Sequence, residues 1–558
     1  MHSAKPQVRL LYDLARAAGI RDVMLSPGSR NAPLIIEAAA RDDLTKHTVT
    51  DERSAGFVAL GMSEASGRPV MTVCTSGTAL LNFHPAVAEA FYRRIPLVVV
   101  SADRPEYRID KGEGQSIRQQ RALQNHTLAS VHVSESDPPA LWHEKISQAL
   151  VTAVREQGPV HINMPFEEPL YEQTADYLPL SGEEILPATP APLADDIIDE
   201  LEKTWKTAGP KLIIAAQGRF DPTLRVQLER LARMPDTVVL TENTSNISGR
   251  DIWGHIDRLI FPLDARQWEK YAPGLVLTVG NNIISKKIKY LLRAQQRPFT
   301  HWHIGRHYIS PDTFDRLRVH VRTSPEMFFS QLLFRLYERE PAGDYADRWR
   351  DLALRRKEAH RRFLANTGWS DLKFYELLSR QLQGPWHVHW GNSTVVRYAQ
   401  LFPFDPAVKH SANRGTSGID GSLSTAVGYA LRIPDPVLHV TGDLSFVYDS
   451  NGLWNLQPEN LKIIVVHNGG GDIFRFIPGP SSVRDYEKYF VAPHRVNAEA
   501  LAAAYGWPVR LLKASDSREA EKELRDFLRS ETGRILLVNT AQIPNSQILR
   551  RYFASLGQ

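Results

Sequence analysis

Three times along the chain, apolar runs of three or four residues alternate with helix-length segments, and this rhythm constrains the fold more than any other feature. The first set has runs at 23–25, 47–49, 70–73, 97–100 and 160–163, with helical patterns at 32–40, 55–66 and 79–92 between them. The second has runs at 212–214, 238–240, 275–278 and 301–304. The third has runs at 387–390, 408–410, 437–440, 463–466 and 535–538, with helical patterns at 374–382, 394–401, 422–431, 498–505 and 518–529. Strands separated by crossovers of that length pair in parallel, and their near-continuous apolar character suits a sheet covered on both faces. The expected class is therefore α/β, with three doubly wound parallel-sheet domains at 1–185, 186–352 and 353–558. A chain of 558 residues exceeds what one core supports. Residues 171–195, with Pro179, Pro187, Pro190 and Pro192, lack periodicity and read as a linker. The charged segment 345–363 reads as a helix leading into the third domain.

Composition excludes several classes of partner. The 67 basic and 63 acidic residues leave a formal charge of +4, too balanced for a nucleic-acid-binding surface, so any positive field must be local. One cysteine, Cys74, excludes an internal disulfide or a cysteine zinc cluster and fits a reducing compartment. Without a signal-like N-terminus or an apolar run of membrane-spanning length, a cytoplasmic protein is expected.

Chemistry concentrates at 441–474. The run 437–440 ends at Thr441-Gly442-Asp443, and the run 463–466 ends at His467-Asn468 and three glycines. An acid and an amide thus stand at the carboxyl ends of two strands, where open α/β sheets place their ligands. They are 25 residues apart (468 − 443), room for one crossover helix, expected at 448–456. Two oxygen donors, with the carbonyl of Gly470 as a third, suit an octahedral Mg²⁺ that also holds a diphosphate. Gly469, Gly470 and Gly471 would let the backbone approach such a ligand; a plain flexible loop is the alternative.

This stretch resembles the diphosphate-binding motif of the thiamine diphosphate enzymes, which begins Gly-Asp-Gly and ends Asn-Asn. Leu444 here replaces the second glycine and His467 the first asparagine. Further blocks follow in order: Ser26 to Leu34 (SPGSRNAPL), Asp51-Glu52-Arg53, Thr75 to Ala79 (TSGTA), Ala102 to Pro105 (ADRP), Gln115 to Gln119 (QSIRQ), Gly391-Asn392-Ser393 with Arg397, and Asn413 to Gly421 (NRGTSGIDG). Together they resemble the 2-succinyl-5-enolpyruvyl-6-hydroxy-3-cyclohexene-1-carboxylate synthases of menaquinone biosynthesis. The likeness is dense in the first and third units and thin in the middle one, where Lys286-Lys287 is the main link.

The resemblance implies a homodimer, or a homotetramer of paired dimers, that uses thiamine diphosphate with Mg²⁺ or Mn²⁺. The reaction it implies is decarboxylation of 2-oxoglutarate and 1,4-addition of the resulting carbanion to isochorismate. Glu52 matches the glutamate that hydrogen-bonds the cofactor's aminopyrimidine ring and helps to remove the C2 proton. Read alone, it is a first-turn carboxylate favoured by the helix dipole. Ile419 matches the apolar residue that props the bent cofactor. Asn392, Ser393, Gly442, Leu444, Ser445, Ile473 and Phe474 would line its pocket, with Asp443, Asn468 and Gly470 on the metal and Phe476 and Ile477 extending the apolar wall. Two dicarboxylate substrates call for several cations at loop tips. Ser29, Arg30, Arg104 and Gln115 would meet isochorismate, Arg397 and Arg414 would hold the carboxylates of the oxoglutarate-derived intermediate, and Lys286 would bind substrate without assignment to either; Arg30, Gln115, Arg397 and Arg414 join Glu52 as expected catalytic residues. Lys287 stands where an arginine is expected. The other readings are a different thiamine diphosphate 2-oxoacid decarboxylase or ligase, or a non-catalytic homologue, for which His467 and Asp472 would speak.

Overall fold

The computed structural model describes the chain except residues 178–183, 190, 307, 338–341, 514, 515 and 533. Three six-stranded sheets, parallel in every pairing, form its frame. Across the first sheet the strands run Thr45–Thr48, Asp22–Leu25, Val70–Cys74, Leu97–Asp103, Val160–Pro165, Ala129–His132. Across the third they run Lys409–Ala412, His387–Trp390, Val437–Gly442, Leu461–His467, Ile535–Asn539, Val509–Leu512. Counted within each sheet, both have the order 2-1-3-4-6-5. The middle sheet, built from Lys211–Ala215, Thr237–Thr241, Ile252–Trp253, Leu275–Val279, Thr300–Ile304 and Leu317–Val321, has the order 3-2-1-4-5-6. The outer two units therefore share a topology that the middle one does not.

The strand order matters because a crevice opens where successive strands move to opposite sides of the first one. In the first sheet that point lies between Asp22–Leu25 and Val70–Cys74, just before Ser29-Arg30 and Thr75-Ser76-Gly77. In the third it lies between His387–Trp390 and Val437–Gly442, just before Asn392-Ser393 and Asp443.

The first and third units share one core. Helix Glu52–Ser66 crosses helix Ser422–Ala430 with backbones touching: a Cβ on Gly61 would fall onto the carbonyl oxygen of Thr425, and one on Gly428 onto that of Val58. Apolar residues of both helices pack in a single cluster with Phe83, Val99, Ile463 and Val465. Gly61→Ala is expected to destabilise the chain by roughly 2–4 kcal/mol, since no side chain can yield there; urea unfolding checks this. Helix Tyr345–Ala365 joins the other pair of units, burying Trp349 and Leu352 in the middle core and Ala359 and Leu364 in the third.

Several expected elements differ. The helical pattern at 79–92 is broken at Phe83 into Thr78–Asn82 and His84–Arg93, with Pro85 in the first turn of the second. The crossover helix expected at 448–456 is replaced by helix Asp443–Tyr448 and a 3-10 turn Ser450–Leu453: the helix begins at Asp443 itself, and Asn451-Gly452 interrupts its continuation. Within the expected linker, Gln173–Thr174 pairs antiparallel with His2–Ser3; Pro187 and Pro192 lie outside helices and strands, and Pro179 and Pro190 lie outside the described residues. Strands Ala129–His132, Ile252–Trp253, Leu317–Val321 and Val509–Leu512 were not expected. Each lies at a sheet edge; Ile252–Trp253 is too short to make a run, and polar residues dilute the apolar signal of the others. Among the described residues no helix is long and apolar enough to cross a membrane.

Candidate active site

At the crevice of the third sheet the acid of the opening motif is buried and surrounded by donors. Asp443 Oδ2 accepts the backbone N–H groups of Gly469 and Gly470 at 3.1 Å each and lies 2.8 Å from His467 Nδ1; Oδ1 accepts the N–H of Leu444 at 2.8 Å. His494 Nε2, buried and without a hydrogen-bond partner, stands 3.6 Å from the same Oδ2. Donor atoms of Asp443, His467 and His494 lie within 4.8 Å of one another, a grouping able to take a cation. The hydrogen bond to Asp443 raises the pKa of His467. Position 467 is thus more than a lost asparagine, because its side chain occupies the flank of Asp443.

Asn468 Nδ2 donates to Asp371 Oδ2 at 3.2 Å, and Asp371 Oδ1 accepts the Thr540 hydroxyl at 2.5 Å. Burial pushes the Asp371 carboxyl up to about 7, with repulsion from Asp472 and Asp443 adding to it. Burial likewise raises Asp472, which faces inward and pairs with Arg475 at 3.2 Å. Mutual repulsion among three carboxyls, beside the carbonyl-rich glycine loop, is a setting that a divalent cation relieves. Gly470 has φ 117°, and a Cβ there would lie 2.5 Å from the Val491 carbonyl oxygen, so only glycine fits.

The other cofactor-motif residues gather around this point. Ser445 Oγ donates to the Ile419 carbonyl at 3.1 Å and lies 3.1 Å from Ser422 Oγ. Gly442, Leu444, Ile419, Ile473 and Phe474 are half-buried, leaving apolar surface open beside Asp443. Phe474 packs on Phe490, whereas Phe476 turns away to Phe261 and Phe553. Across the crevice Ser393 holds a left-handed φ of 69°, a strained conformation for a residue with a side chain. Asn392 spends its amide on the carbonyls of Asn413 (2.8 Å) and Gly418 (2.7 Å), and its Oδ1 accepts from Arg414 at 2.9 Å.

Cations from two units converge next to it. Arg414 is 6% exposed, and its Nε is buried without a partner. Burial first, then Arg397, pushes its pKa down to about 10. Arg397 donates to the Ile284 carbonyl at 2.9 Å and is also lowered by burial. Lys286 is lowered by burial and then by Arg397 and Arg414. Burial takes Lys289 down to about 8; Glu242 opposes that fall, and Arg414 and Arg397 add to it. Against these four cations stand buried Glu242, which accepts the N–H groups of Ile284 (2.7 Å) and Ser285 (2.9 Å), and buried Asp257, which acts on Arg397. The cluster is therefore short of negative charge, which a bound dicarboxylate supplies. Lys289 and Glu242 were missed in the sequence, although Lys289 lies three residues beyond Lys286 on one helix face and Glu242 directly follows a strand. Lys287 rests against the rings of Phe261 and Tyr290 instead.

Glu242 makes a pH prediction. Burial raises its pKa from 4.5 to about 7, so the folded chain holds a proton between those values that the unfolded chain has lost. Its stabilising contribution is present below the lower value and disappears as pH rises through the upper one. Glu242→Gln keeps the bonds of Ile284 and Ser285 to Oε1, gives up the second Ile284 contact to Oε2 at 3.0 Å, and is expected to remove a stability loss on the order of 3 kcal/mol across that window. Urea midpoints of both proteins at about pH 5 and about pH 8 check it.

The first sheet carries a second group. Arg30 donates to the Phe166 carbonyl at 2.9 Å and pairs with Glu168 at 3.1 Å, leaving its Nε buried and unpartnered. Arg104 donates to the Gly114 carbonyl at 2.9 Å, and its Nε is likewise unpartnered. Ser29 and Gln115 are exposed; Gln115 has φ 53°, and its backbone lies against Gly77, where a Cβ would come within 3.2 Å. Glu52 opens helix Glu52–Ser66, capped by Asp51, whose carboxylate accepts from Arg53 and Ser54. It is half-buried, and burial raises its pKa against the pull of its own N–H and of Asn82 at 3.5 Å. Arg53 reaches the carbonyl of Tyr448, the end of helix Asp443–Tyr448 opposite Asp443. Among the described residues, no hydrogen bond or ion pair within one chain joins Glu52, Ser29, Arg30, Arg104 or Gln115 to the Asp443 and Arg414 groups.

Two crevices of identical topology, one presenting a half-buried glutamate and the other a buried aspartate among glycines, define a thiamine diphosphate-dependent enzyme. Residues 8–126 match the thiamine pyrophosphate enzyme N-terminal TPP binding domain, and residues 390–540 the C-terminal TPP binding domain. Proteins named 2-succinyl-5-enolpyruvyl-6-hydroxy-3-cyclohexene-1-carboxylate synthase align along nearly the whole chain. That of Flavobacterium johnsoniae is 40% identical over 98% of both chains. That of Porphyromonas gingivalis is 39% identical over 100% of this chain and 98% of its own, and that of Desulfotalea psychrophila 36% over 96% and 98%. The chain belongs to this synthase family.

Proposed function

We propose that the chain decarboxylates 2-oxoglutarate and adds the resulting four-carbon unit to isochorismate, giving 2-succinyl-5-enolpyruvyl-6-hydroxy-3-cyclohexene-1-carboxylate for menaquinone biosynthesis, with Mg²⁺ as the divalent cation. The observation that carries the substrate assignment is the cationic cluster of Lys286, Lys289, Arg397 and Arg414, beside the cofactor crevice and opposed by the carboxylates of Glu242, Asp257 and Glu89. A site for smaller, monoanionic oxoacids has no need of that charge.

Thiamine diphosphate supplies, when bound, the nucleophilic carbon and the electron sink for decarboxylation. Asp443, Asn468 and the Gly470 carbonyl would hold the cation. The raised pKa of Glu52 supports a carboxyl that shares a proton with a ring nitrogen. Arg397 and Arg414, with Lys286 beside them, would fix the oxoglutarate carboxylates, and Ser29, Arg30, Arg104 and Gln115 those of isochorismate. Ile473 and Phe474 would keep water from the reacting carbon. Arg53, beside Glu52, meets helix Asp443–Tyr448 of its own chain at Tyr448, the end away from Asp443, which supports a site completed by a second copy, Glu52 of one protomer meeting Asp443 of its partner in a two-fold dimer.

Purified protein with thiamine diphosphate and Mg²⁺ is expected to consume 2-oxoglutarate and isochorismate together, releasing carbon dioxide. Turnover of pyruvate in place of 2-oxoglutarate would overturn the assignment.

A further inference from the structure

The segment that carries Arg414 is held from outside its own sheet. Residues 413–421 connect strand Lys409–Ala412 to helix Ser422–Ala430 without regular structure. In helix His84–Arg93 of the first unit, Glu89 is fully buried and aims at this segment. Its Oε1 accepts the N–H of Gly415 at 2.8 Å, and its Oε2 accepts the N–H and hydroxyl of Thr416 at 2.7 and 2.8 Å. One turn on, Arg93 stands 3.8 Å from Glu89, donates to Asn413 Oδ1 at 3.3 Å and pairs with Glu64. A Cβ on Gly415 would come within 2.8 Å of the Glu89 carbonyl oxygen, so the approach needs glycine. From the middle unit, Asn282 donates to the carbonyls of Arg414 (3.1 Å) and Gly415 (2.9 Å).

We propose that Glu89 is a positioning residue for the reaction: through its bonds to Gly415 and Thr416 it fixes the backbone that presents the Arg414 guanidinium to a substrate carboxylate. The inference rests on the reading of Arg414 given above. The three donors fall on both oxygens of the side chain. A glutamine would turn its NH₂ group toward either Gly415 or Thr416, donor against donor. The loop must then shift, and displacement of a substrate-positioning group by about 1 Å costs on the order of 100-fold in rate.

The test uses the full-length protein loaded with thiamine diphosphate and Mg²⁺. Glu89→Gln is expected to raise the KM for 2-oxoglutarate roughly 10- to 100-fold while the KM for isochorismate and the melting temperature stay near the parent values. Glu89→Asp should recover part of the loss. Thr416→Val, which removes one donor and leaves the carboxylate with two, should raise the same KM about threefold and stands in should Glu89→Gln not fold. Arg414→Ala is measured alongside. A KM for 2-oxoglutarate unchanged in Glu89→Gln, or in Thr416→Val where Glu89→Gln does not fold, would overturn the inference alone if Arg414→Ala raises it. A KM unchanged in Arg414→Ala would overturn the reading of Arg414 and this inference with it. A lowered melting temperature with both KM values unchanged would make Glu89 a purely structural residue.

Discussion

Arg414→Ala is expected to lower kcat/KM for 2-oxoglutarate by about 100- to 1,000-fold, with little change in affinity for thiamine diphosphate. The magnitude follows from the site. A buried guanidinium facing a carboxylate makes charge-assisted bonds whose loss costs roughly 3–4 kcal/mol, and each 1.36 kcal/mol is tenfold in rate. Arg414 carries part of the electrostatic cost within the protein itself, since burial and Arg397 push its pKa down to about 10. A dicarboxylate relieves that repulsion on binding. Arg414→Lys keeps a charge but loses the planar fork and the bond to Asn392, so it should recover only a minor part. Removing the cation should also let the pKa of Lys289 rise from about 8, because Arg414 is one of the groups that lower it. Steady-state kinetics with 2-oxoglutarate varied at saturating isochorismate measure the first effect; an unchanged kcat/KM would remove Arg414 from the substrate site.

What could be read in the sequence, and what could not, divides along one physical line. Central strands are buried on both faces, so 97–100 and 463–466 announce themselves as unbroken apolar runs and 70–73 and 437–440 as runs with one polar residue; the edge strands Ala129–His132 and Val509–Leu512 carry polar residues and lack the flanking motifs. The candidates Asp443 and Asn468 stand out by position, at the carboxyl ends of two apolar runs. Lys289, Asp371, Glu89 and His494 meet neighbours distant in sequence, and Glu242, although it directly follows strand Thr237–Thr241, lies in the middle unit, where no motif marked it. Asp371 meets Asn468 across 97 residues and Glu89 meets Gly415 across 326, and no local pattern encodes such a meeting. The shared strand order of the first and third sheets belongs to the same category. It is a property of pairing, and edge strands that went unread decide half of it.

Glu52→Gln is expected to leave thiamine diphosphate bound and to slow exchange of its C2 proton, and with it turnover, by about 100- to 10,000-fold, the range spanned by positioned acid–base groups. An amide presents the same shape to the pyrimidine but cannot take up or release the proton that a carboxyl with a burial-raised pKa can. Proton exchange followed by NMR separates this from a defect in substrate binding, and exchange at the parent rate would exclude Glu52 from the step. The same variant tests how the site is assembled. Helix Glu52–Ser66 meets helix Asp443–Tyr448 of its own chain at the end away from Asp443, which favours a site shared between protomers. If so, Glu52→Gln and Asp443→Asn chains, each inactive alone, regain activity when mixed and reassembled. Half of the randomly formed dimers contain one chain of each kind, and each of these has one intact site, so about a quarter of all sites recover. A site built within one chain recovers nothing, because neither chain carries both residues.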